Sequence, residues 1–558
     1  MTALLFTLTI LSALVQANSE PQAAVYRISG VVVDALGNVP VARAQVSISR
    51  DNEQTSMVAG NDGRFMFEGL AAGKYSLRAA ATGYLEEAYN QHGAFSVAIV
   101  TGKGQDSEHL TFRLHPQAVI SGRVTDEHGE PVRSAQVAVF AADLMRGSQA
   151  KLMRAQTQTN DLGEYRFAHL APDKYYLAVQ ARPWYAQSRL SAQMGQDSGS
   201  LGNGGPFLFV SAPGVDSDPI LDVVYPITFY PGVTDERSSA SLVLSAGEKE
   251  EANITLEAVP ATHLRLTGLN SERATSLGVG ASQRVFGTFS FGLNEVFGQV
   301  APGEYEVAGL PRGELTLIVT TNKANEWTSR SIEVDSRSQG TMDGAALSAT
   351  AKVAGRVFLP GANAARGGSL SLTSTSATTL PGVTTRLEED GTFSFSSMQP
   401  GTYRIQVNLP PGDYYVQKVI AKEAKTSGRE IVITGGNDAD LTVILGHGQG
   451  QATGVVQLEG TPAAGVLVLL VPESGQDMEE DSRMDESDSD GTFSLGGILP
   501  GDYVLLAIKD GWDLEWSNSD VLRPYLSAGQ KISIGANQSV KVTVSAQERT
   551  AAMEQKPR

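Results

Sequence analysis

Short runs of alternating apolar and polar residues recur along most of the chain, separated by turns rich in glycine and aspartate. Ile120 to Val124 alternates, the turn Asp126 to Pro131 follows, and Ala135 to Val139 alternates again. Successive side chains of a strand point to opposite faces, so this alternation predicts half-buried β-strands. Turns about 8–12 residues apart indicate sheet-on-sheet sandwiches. Since no long stretch has a helical period, we predict an all-β chain.

One pattern occurs five times with the same internal spacing. A glycine is followed by apolar residues at +2, +4 and +7, by a second turn residue at +10, and by tyrosine or leucine at +12. The copies begin at Gly63, Gly163, Gly303, Gly391 and Gly491. The third copy is degenerate, because leucine replaces tyrosine at its last position. A repeat of this kind predicts tandem copies of one structural unit.

The spacing within one copy has a physical explanation. Asp390-Gly391 favours a tight turn that needs a positive φ. Phe393 and Phe395 are two residues apart, so both enter the core from one strand face. Tyr403 then opens the next strand, and a buried tyrosine needs a partner for its hydroxyl. We therefore expect this tyrosine and its equivalents to lock a corner of each sandwich.

These residues resemble the carboxypeptidase regulatory-like domain family. The resemblance is carried by Asp126-Glu-His-Gly-Glu-Pro131-Val132 and by Thr392-Phe393-Ser-Phe395 with Pro400-Gly401-Thr-Tyr403. It is strong in the first, second, fourth and fifth copies and weak in the third. It implies transthyretin-like β-sandwiches of about seven strands without catalytic residues of their own. Bacterial exported proteins built of such tandem domains are similar in organisation.

We predict about five small Greek-key-type β-sandwich modules with short linkers, and short linkers favour a rod with limited hinging. Two modules carry insertions that interrupt the pattern. The predicted segments are a signal peptide at 1–17, module 1 at 24–116, module 2 at 117–259 with an insertion at 182–235, a degenerate module 3 at 260–349, module 4 at 350–447, module 5 at 448–546 with an insertion at 509–528, and a polar tail at 547–558.

The N-terminus predicts export. Leu4 to Val15 is a short apolar run, and Val15-Gln16-Ala17 resembles a cleavage site, so we place cleavage after Ala17. No lysine or arginine precedes the run, and a buried first strand or helix is the alternative. No other window is long enough for a membrane span, which predicts no membrane insertion of the mature chain. The expected location is the periplasm, the cell surface or the extracellular space.

Composition excludes several classes of function. The chain of 558 residues has a formal net charge of −18, which disfavours nucleic acid as a partner. It has no cysteine, so disulfides, thiolate metal sites and cysteine nucleophiles are excluded. No zinc-protease, serine-hydrolase or phosphate-loop motif occurs. We predict no cofactor, no catalytic residue and no enzyme, with a peptidase or glycosidase as the rival interpretation.

Two groups of residues are candidates for binding. Trp184, Trp512 and Trp516 could stack on sugar rings, and a short helix would place Trp512 and Trp516 on one face. Buried packing is the alternative for this pair. The spacing of Glu486, Asp488 and Asp490 superficially resembles a calcium loop, but Gly497 stands where a bidentate glutamate belongs. A solvated acidic loop is the alternative.

The predicted function is a non-catalytic structural or binding array outside the cytoplasm. A carbohydrate or a cell-surface protein is the expected partner. A carbohydrate-binding protein that uses exposed aromatic residues is the second reading, and an accessory region of a carboxypeptidase or glycosidase system is the third. The sequence leaves the ligand and the oligomeric state open.

Overall fold

A computed structural model describes most of the chain after its first 24 residues. The described residues are 25–186, 218–268, 276–293, 295–301, 303–323, 326–337, 340–343, 350–361, 363–375, 382–410, 412–475 and 478–549. The predicted signal peptide, the centre of the insertion at 182–235 and the end of the polar tail lie outside these ranges.

The described chain consists of strands, with few helical segments. Module 1 contains β1 Tyr26–Asp34, β2 Gln45–Arg50, β3 Glu53–Val58, β4 Arg64–Leu70, β5 Gly73–Ala80, β6 Glu87–Ala88, β7 Ile99–Thr101 and β8 Leu110–Leu114. Module 2 contains β9 Ala118–Thr125, β10 Gln136–Asp143, β11 Ser148–Gln158, β12 Glu164–Leu170, β13 Asp173–Gln180, β14 Val223–Val224, β15 Thr228–Phe229, β16 Leu242–Leu244, β17 Lys249–Glu251, β18 Ile254–Thr255 and, at its end, β19 Val259–Pro260. Module 3 contains β20 Thr262–Thr267, β21 Ser276–Val285, β22 Phe289–Gly292, β23 Val296–Ala301, β24 Glu304–Leu310, β25 Glu314–Lys323, β26 Glu326–Asp335 and β27 Thr341–Asp343.

The last two modules follow the same plan. Module 4 contains β28 Ala351–Phe358, β29 Ser369–Ser374, β30 Val383–Arg386, β31 Thr392–Met398, β32 Gly401–Asn408, β33 Tyr414–Lys422, β34 Lys425–Ser427, β35 Glu430–Ile433 and β36 Ala439–His447. Module 5 contains β37 Gly450–Leu458, β38 Thr461–Pro462, β39 Leu467–Pro472, β40 Arg483–Glu486, β41 Thr492–Ile498, β42 Gly501–Ile508, β43 Gln530–Ile534 and β44 Ser539–Ser545. The helical segments are 3-10 turns at Leu144–Arg146, Pro219–Leu221 and Glu236–Ser238, and the helices α1 Met478–Asp481 and α2 Ser519–Leu526.

Each module pairs two sheets around its own core, which confirms the predicted all-β class. In module 4 one sheet has the order β31-β28-β36-β33 and the other β30-β29-β32-β35-β34. In every module the first strand pairs in parallel with a late strand and antiparallel with the strand of the repeat. This shared pairing identifies the modules as copies of one unit.

The repeat residues occupy equivalent buried positions. Among the described residues, the strand after each repeat glycine has its +2 and +4 side chains in the core: Phe65, Phe67, Tyr165, Phe167, Tyr305, Val307, Phe393, Phe395, Phe493 and Leu495. The five repeat glycines have φ between 73° and 80°, as the predicted turns require. The spacing therefore reports the inward face of one strand.

The predicted tyrosine corner is present in four modules. The hydroxyl of Tyr503 donates to the carbonyl of Leu499 at 2.7 Å. The equivalent bonds run from Tyr75, Tyr175 and Tyr403 to the carbonyl four residues earlier, at 3.1, 2.9 and 3.0 Å. Module 3 has Leu315 at this position, which is buried without such a bond. Each hydroxyl thus has a partner inside its own turn.

A glycine in the first strand lets the late parallel strand approach its backbone. A Cβ on Gly454 would lie 1.8 Å from the carbonyl oxygen of Val542. At Gly30, Gly122 and Gly355 the equivalent distances are 2.2, 2.0 and 2.0 Å. No real Cβ tolerates such a contact with backbone, so the two strands can approach this closely only with glycine at this position.

The insertion at 509–528 builds a second apolar layer on module 5. Leu514, Trp516, Leu522 and Tyr525 pack against the outer face of the sheet that contains β39 and β42. The helix α2 begins only at Ser519, so the predicted helix through both tryptophans does not form. This layer covers Leu469 and Val471 on the outer face of β39. The strand is apolar on both faces because both faces are buried.

The chain folds back, so the predicted rod is wrong. Trp516 of module 5 packs against Gly147 of module 2, and Ser517 donates to the Gly147 carbonyl at 2.7 Å. His92 of module 1 stacks on Trp512 of module 5, with ring centroids 4.9 Å apart. Modules 1 and 2 therefore both contact module 5. The short linkers gave no indication that the chain would bring module 5 back to the first two modules.

Replacing Gly454 tests the close approach of strands. We expect Gly454→Ala to lower the free energy of unfolding of module 5 by about 1–3 kcal/mol, because β37 and β44 must move apart. Urea unfolding followed by tryptophan fluorescence measures this, since Trp512 and Trp516 lie in module 5. The control is Gly496→Ala in β41, where a Cβ meets no atom within 4 Å. Equal stability of the two variants would contradict the explanation.

Candidate functional site

The acidic loop of module 5 is bound to module 1 and is not solvated. Asp488 forms an ion pair with Lys74, and its other oxygen accepts the backbone N–H of Ala98 at 3.1 Å. The side chain of Asp488 is 11% exposed and that of Lys74 is 46% exposed. We call this contact the 1–5 junction: residues 92–100 and Lys74 of module 1 with residues 486–489 and Trp512 of module 5.

Backbone hydrogen bonds reinforce the 1–5 junction. The hydroxyl of Ser489 accepts the N–H of Val100 at 2.9 Å, and the N–H of Ser489 donates to the carbonyl of Ala98 at 3.1 Å. Val100 belongs to β7, which pairs on its other side with β5. The acidic loop therefore covers an edge of the module 1 sheet that would otherwise expose unpaired backbone groups.

A histidine and a fully buried carboxylate face each other in the 1–5 junction. His92 Nδ1 lies 3.0 Å from Glu486 Oε1, and the Glu486 side chain is 0% exposed. Burial raises the pKa of the Glu486 carboxyl, against the hydrogen bond with His92, which lowers it. Burial likewise raises the pKa of Asp485 and Asp488. Three carboxylates are largely buried here, and module 1 supplies Lys74 as the partner of Asp488 and His92 as the partner of Glu486.

The calcium candidates do not converge on one point. Asp488 faces Lys74 and Glu486 faces His92, whereas Asp490 accepts the N–H and hydroxyl of Thr492 at 3.0 and 2.6 Å. Within the described ranges, the one group of three ligand-type residues with atoms close enough for a shared metal is Asp126, Glu127 and His128. Asp126 is already occupied there by two backbone N–H groups of its own turn.

The three tryptophan candidates lie in different surroundings. Trp516 is 3% exposed and has no face open to a ligand. Trp512 is partly buried, with the ring centroid of the stacked His92 4.9 Å away and that of the tilted Phe95 6.0 Å away. Trp184 is 81% exposed and meets Tyr185 edge-on at 5.8 Å. Trp184 is therefore the most exposed of the three rings.

A second histidine is tied between two carboxylates at the boundary of modules 2 and 3. His263 Nδ1 lies 2.7 Å from Glu306, and its Nε2 lies 2.5 Å from Asp222. The hydrogen bond with Glu306 is the main cause that raises the pKa of His263. With both ring nitrogens engaged, His263 has no nitrogen left to accept a proton from a substrate. Its arrangement is that of an ion-paired tie between modules.

An apolar contact joins the same two modules. Phe286 of module 3 lies 5.0 Å from Phe140 and 5.3 Å from Phe229 of module 2, measured between ring centroids. Lys151 of module 2 lies over the Phe286 ring at 4.2 Å. Phe229 comes from the insertion at 182–235, so this end of the insertion packs against its own sandwich and against module 3. The boundary between modules 2 and 3 is thus held by both apolar and charged groups.

Sequence reasoning missed the module 1 side of the 1–5 junction. Lys74 and Asp488 are 414 residues apart in the chain, and neither stands in a motif that indicates the other. Lys74 sits between the repeat residues Gly73 and Tyr75, where an exposed lysine is ordinary. The acidic loop itself gave a signal, but its sequence predicts a solvated loop or, by a superficial resemblance, a calcium site, and neither points to module 1.

Comparisons with known proteins agree with the fold. Residues 27–115 and 119–200 match the family model described as carboxypeptidase regulatory-like domain, in two tandem copies. No curated protein matches the chain. None of the described helices is long and apolar enough to cross a bilayer.

Solved structures of low similarity also align with the chain. A streptococcal ancillary pilin is 13% identical, with 51% of this chain and 99% of that chain covered and a TM-score of 0.20. The TIE protein of Bacillus anthracis is 9% identical, with 95% and 76% covered and a TM-score of 0.16. A putative carbohydrate binding protein of Bacteroides uniformis is 14% identical, with 28% and 88% covered and a TM-score of 0.13. At these values no functional conclusion follows from them.

Charge reversal tests the 1–5 junction. We expect Lys74→Asp to speed hydrogen exchange at the amides of Ala98 and Val100, because repulsion from Asp488 detaches the loop that protects them. The pair Lys74→Asp with Asp488→Lys should recover part of the protection. A coupling of about 1 kcal/mol is expected, since Lys74 is half exposed.

The matched control for this test is Arg523→Asp, which breaks an exposed ion pair inside module 5. It should leave the exchange of Ala98 and Val100 unchanged. Unchanged exchange in Lys74→Asp as well would contradict the junction.

Glu295 makes module 3 sensitive to pH. Its Oε1 accepts the N–H of Ala281 at 2.8 Å, its Oε2 is buried without a hydrogen-bond partner, and burial raises its pKa to about 7. Folding thus favours the protonated carboxyl, so this stabilisation is complete below pH 4.5 and lost as the pH rises through about 7. We expect Glu295→Gln to weaken the loss of module 3 stability between about pH 5 and 8, by about 1–3 kcal/mol. Hydrogen exchange of β21 as a function of pH measures this stability, and the exposed Glu314→Gln variant is the control. If the stability of Glu295→Gln fell with pH as steeply as that of the wild type, the explanation would be refuted.

Proposed function

Because the chain carries two tandem carboxypeptidase regulatory-like domains, we propose that it is an exported, non-catalytic scaffold that presents binding surfaces in the periplasm, at the cell surface or outside the cell. The observation that supports this most directly is the use of its buried charged groups. Glu486, Asp488 and His263, which have the chemistry of active-site residues, are each paired across a module boundary. Such groups hold modules together.

A preformed arrangement suits a binding scaffold. Modules 2 and 3 share a cluster of aromatic residues, and module 5 contacts both modules 1 and 2. Surfaces on modules held in this way are already in place before a partner arrives. Binding then costs less conformational entropy than it would on independently moving modules.

Carbohydrate binding is the second candidate function, and one observation favours it. Trp184 is 81% exposed, which is unusual for so large an apolar ring. An open indole face is a suitable surface for the apolar face of a sugar. Trp184→Ala should then reduce retention of the protein on an insoluble polysaccharide, while Trp512→Phe should not.

A hydrolysis screen tests the non-catalytic proposal. The mature chain, beginning at Asn18, is incubated with fluorogenic peptides and p-nitrophenyl glycosides over a range of pH. We expect no turnover above that of buffer, because Glu486, Asp488 and His263 are each engaged with a partner across a module boundary. Turnover that persists through purification and disappears in His263→Gln or Glu486→Gln, with the fold retained, would refute the proposal.

A further inference from the structure

The ring of Tyr415 lies over a glycine of the neighbouring strand in module 4. Tyr415 in β33 is directly opposite Gly446 in β36. A Cβ on Gly446 would lie 2.2 Å from Cζ and 2.6 Å from Cε2 of Tyr415. The absence of a side chain at Gly446 therefore lets the tyrosine ring rest against the sheet, an arrangement known to protect glycine in strands.

The same tyrosine lines a cleft between modules 4 and 5. The cleft has a volume of about 640 Å³ and is open to solvent. Module 4 contributes Tyr415, Gln417 and Arg429 to its walls, and module 5 contributes Glu473, Asp481, Ser474, Asp502 and the edge of Tyr503. Ligand sites occur preferentially at such boundaries between domains.

The walls of this cleft are fixed to each other. Arg429 of module 4 donates to Asp481 of module 5 at 2.7 Å, and both side chains are about one-fifth exposed. Arg404 of module 4 forms a further ion pair with Glu480 of module 5. The hydroxyl of Tyr503 is fixed by its own corner bond. The two walls are therefore held together before a ligand binds, and Arg429, Asp481 and Tyr503 have defined positions.

The chemistry of the lining selects among ligands. Of the three carboxylates in the lining, Asp481 is paired with Arg429 and Glu473 with Lys531, and Asp502 adds a further negative charge. The lining therefore has no surplus positive charge with which to hold an anionic ligand. A ligand that offers a weakly apolar ring face to tyrosine and several hydroxyls to carboxylates, amide and guanidinium matches the lining. These are the features of a neutral sugar.

We propose that the cleft between modules 4 and 5 binds a neutral oligosaccharide, with one sugar ring stacked on Tyr415 and hydroxyl groups bonded to Asp481, Asp502 and Gln417. The inference rests on the proposed binding role and gives it a site and a ligand class. It places the stacking residue on β33, away from Trp184, Trp512 and Trp516.

Affinity electrophoresis of the mature protein in gels containing a soluble polysaccharide tests the inference. The probes are mixed-linkage β-glucan, arabinoxylan, galactomannan and pullulan, with alginate as the anionic counterpart. We expect at least one neutral polymer to retard the wild type and alginate not to do so. Tyr415→Ala should weaken binding roughly tenfold, a loss typical of removing one stacking ring, and Tyr415→Phe should retain it.

Two further variants keep the test specific. Gly446→Ala should weaken binding as Tyr415→Ala does, because the added methyl group displaces the ring without removing it. Tyr414→Ala is the control: Tyr414 lies on the opposite face of β33, where its ring meets His447 at 4.9 Å, and it should bind as the wild type does. Melting curves identify any variant that is not folded.

The outcomes separate the site from the function. Retardation by a neutral polymer that is unchanged in both Tyr415→Ala and Gly446→Ala overturns the site but leaves a carbohydrate role in place. No retardation by any neutral polymer, or retardation by alginate alone, overturns the inference. The scaffold proposal is unaffected by either result, because the hydrolysis screen tests it separately.

Discussion

The close approach of two backbones at one glycine is the constraint on which four of the five sandwiches depend. In modules 1, 2, 4 and 5 the late parallel strand places a carbonyl oxygen where a Cβ of the first strand would stand, within 1.8 to 2.2 Å. The same glycine faces the first aromatic residue of the repeat across the antiparallel pair, as Gly355 faces Phe393. In module 3 Leu266 takes this position, opposite Tyr305, and the close approach is absent. The degenerate module 3 thus differs from the other four modules at the position where their first strand and late parallel strand approach most closely.

Local features of the repeat could be predicted because their causes are local. A strand with aromatic residues two apart must bury one face, and a turn glycine with positive φ must precede it. The corner bond of Tyr503 spans only four residues. These rules predict the all-β class and the core residues of the repeat, and the structure confirms both. The domain size set by one hydrophobic core accounts for the number of modules.

Contacts between modules could not be predicted, because they join residues that are distant in the chain. Asp488 was interpreted as a calcium ligand or a solvated charge, and its actual partner, Lys74, is 414 residues away. The sequence makes Trp516 a candidate for sugar binding, but its ring packs against Gly147 of module 2. Tyr415 was overlooked because a tyrosine in an alternating strand is ordinary. Its position opposite Gly446 matters only once the register of β33 and β36 is known. The sequence shows which side chains could bind a ligand or react, but the tertiary arrangement decides which of them are already paired with other residues.

Module 5 returns to module 1, and a distance between the two modules tests this arrangement most directly. The chain has no cysteine, so Lys103→Cys and Ser494→Cys can carry paired spin labels without interference. Lys103 is three residues from Val100 and Ser494 is five residues from Ser489, and Val100 and Ser489 are hydrogen-bonded. The reach of the chain then limits the separation to about 35 Å, and the account predicts a narrow distribution below that value. A broad distribution near about 90 Å, the span of three intervening modules of this size, would contradict it.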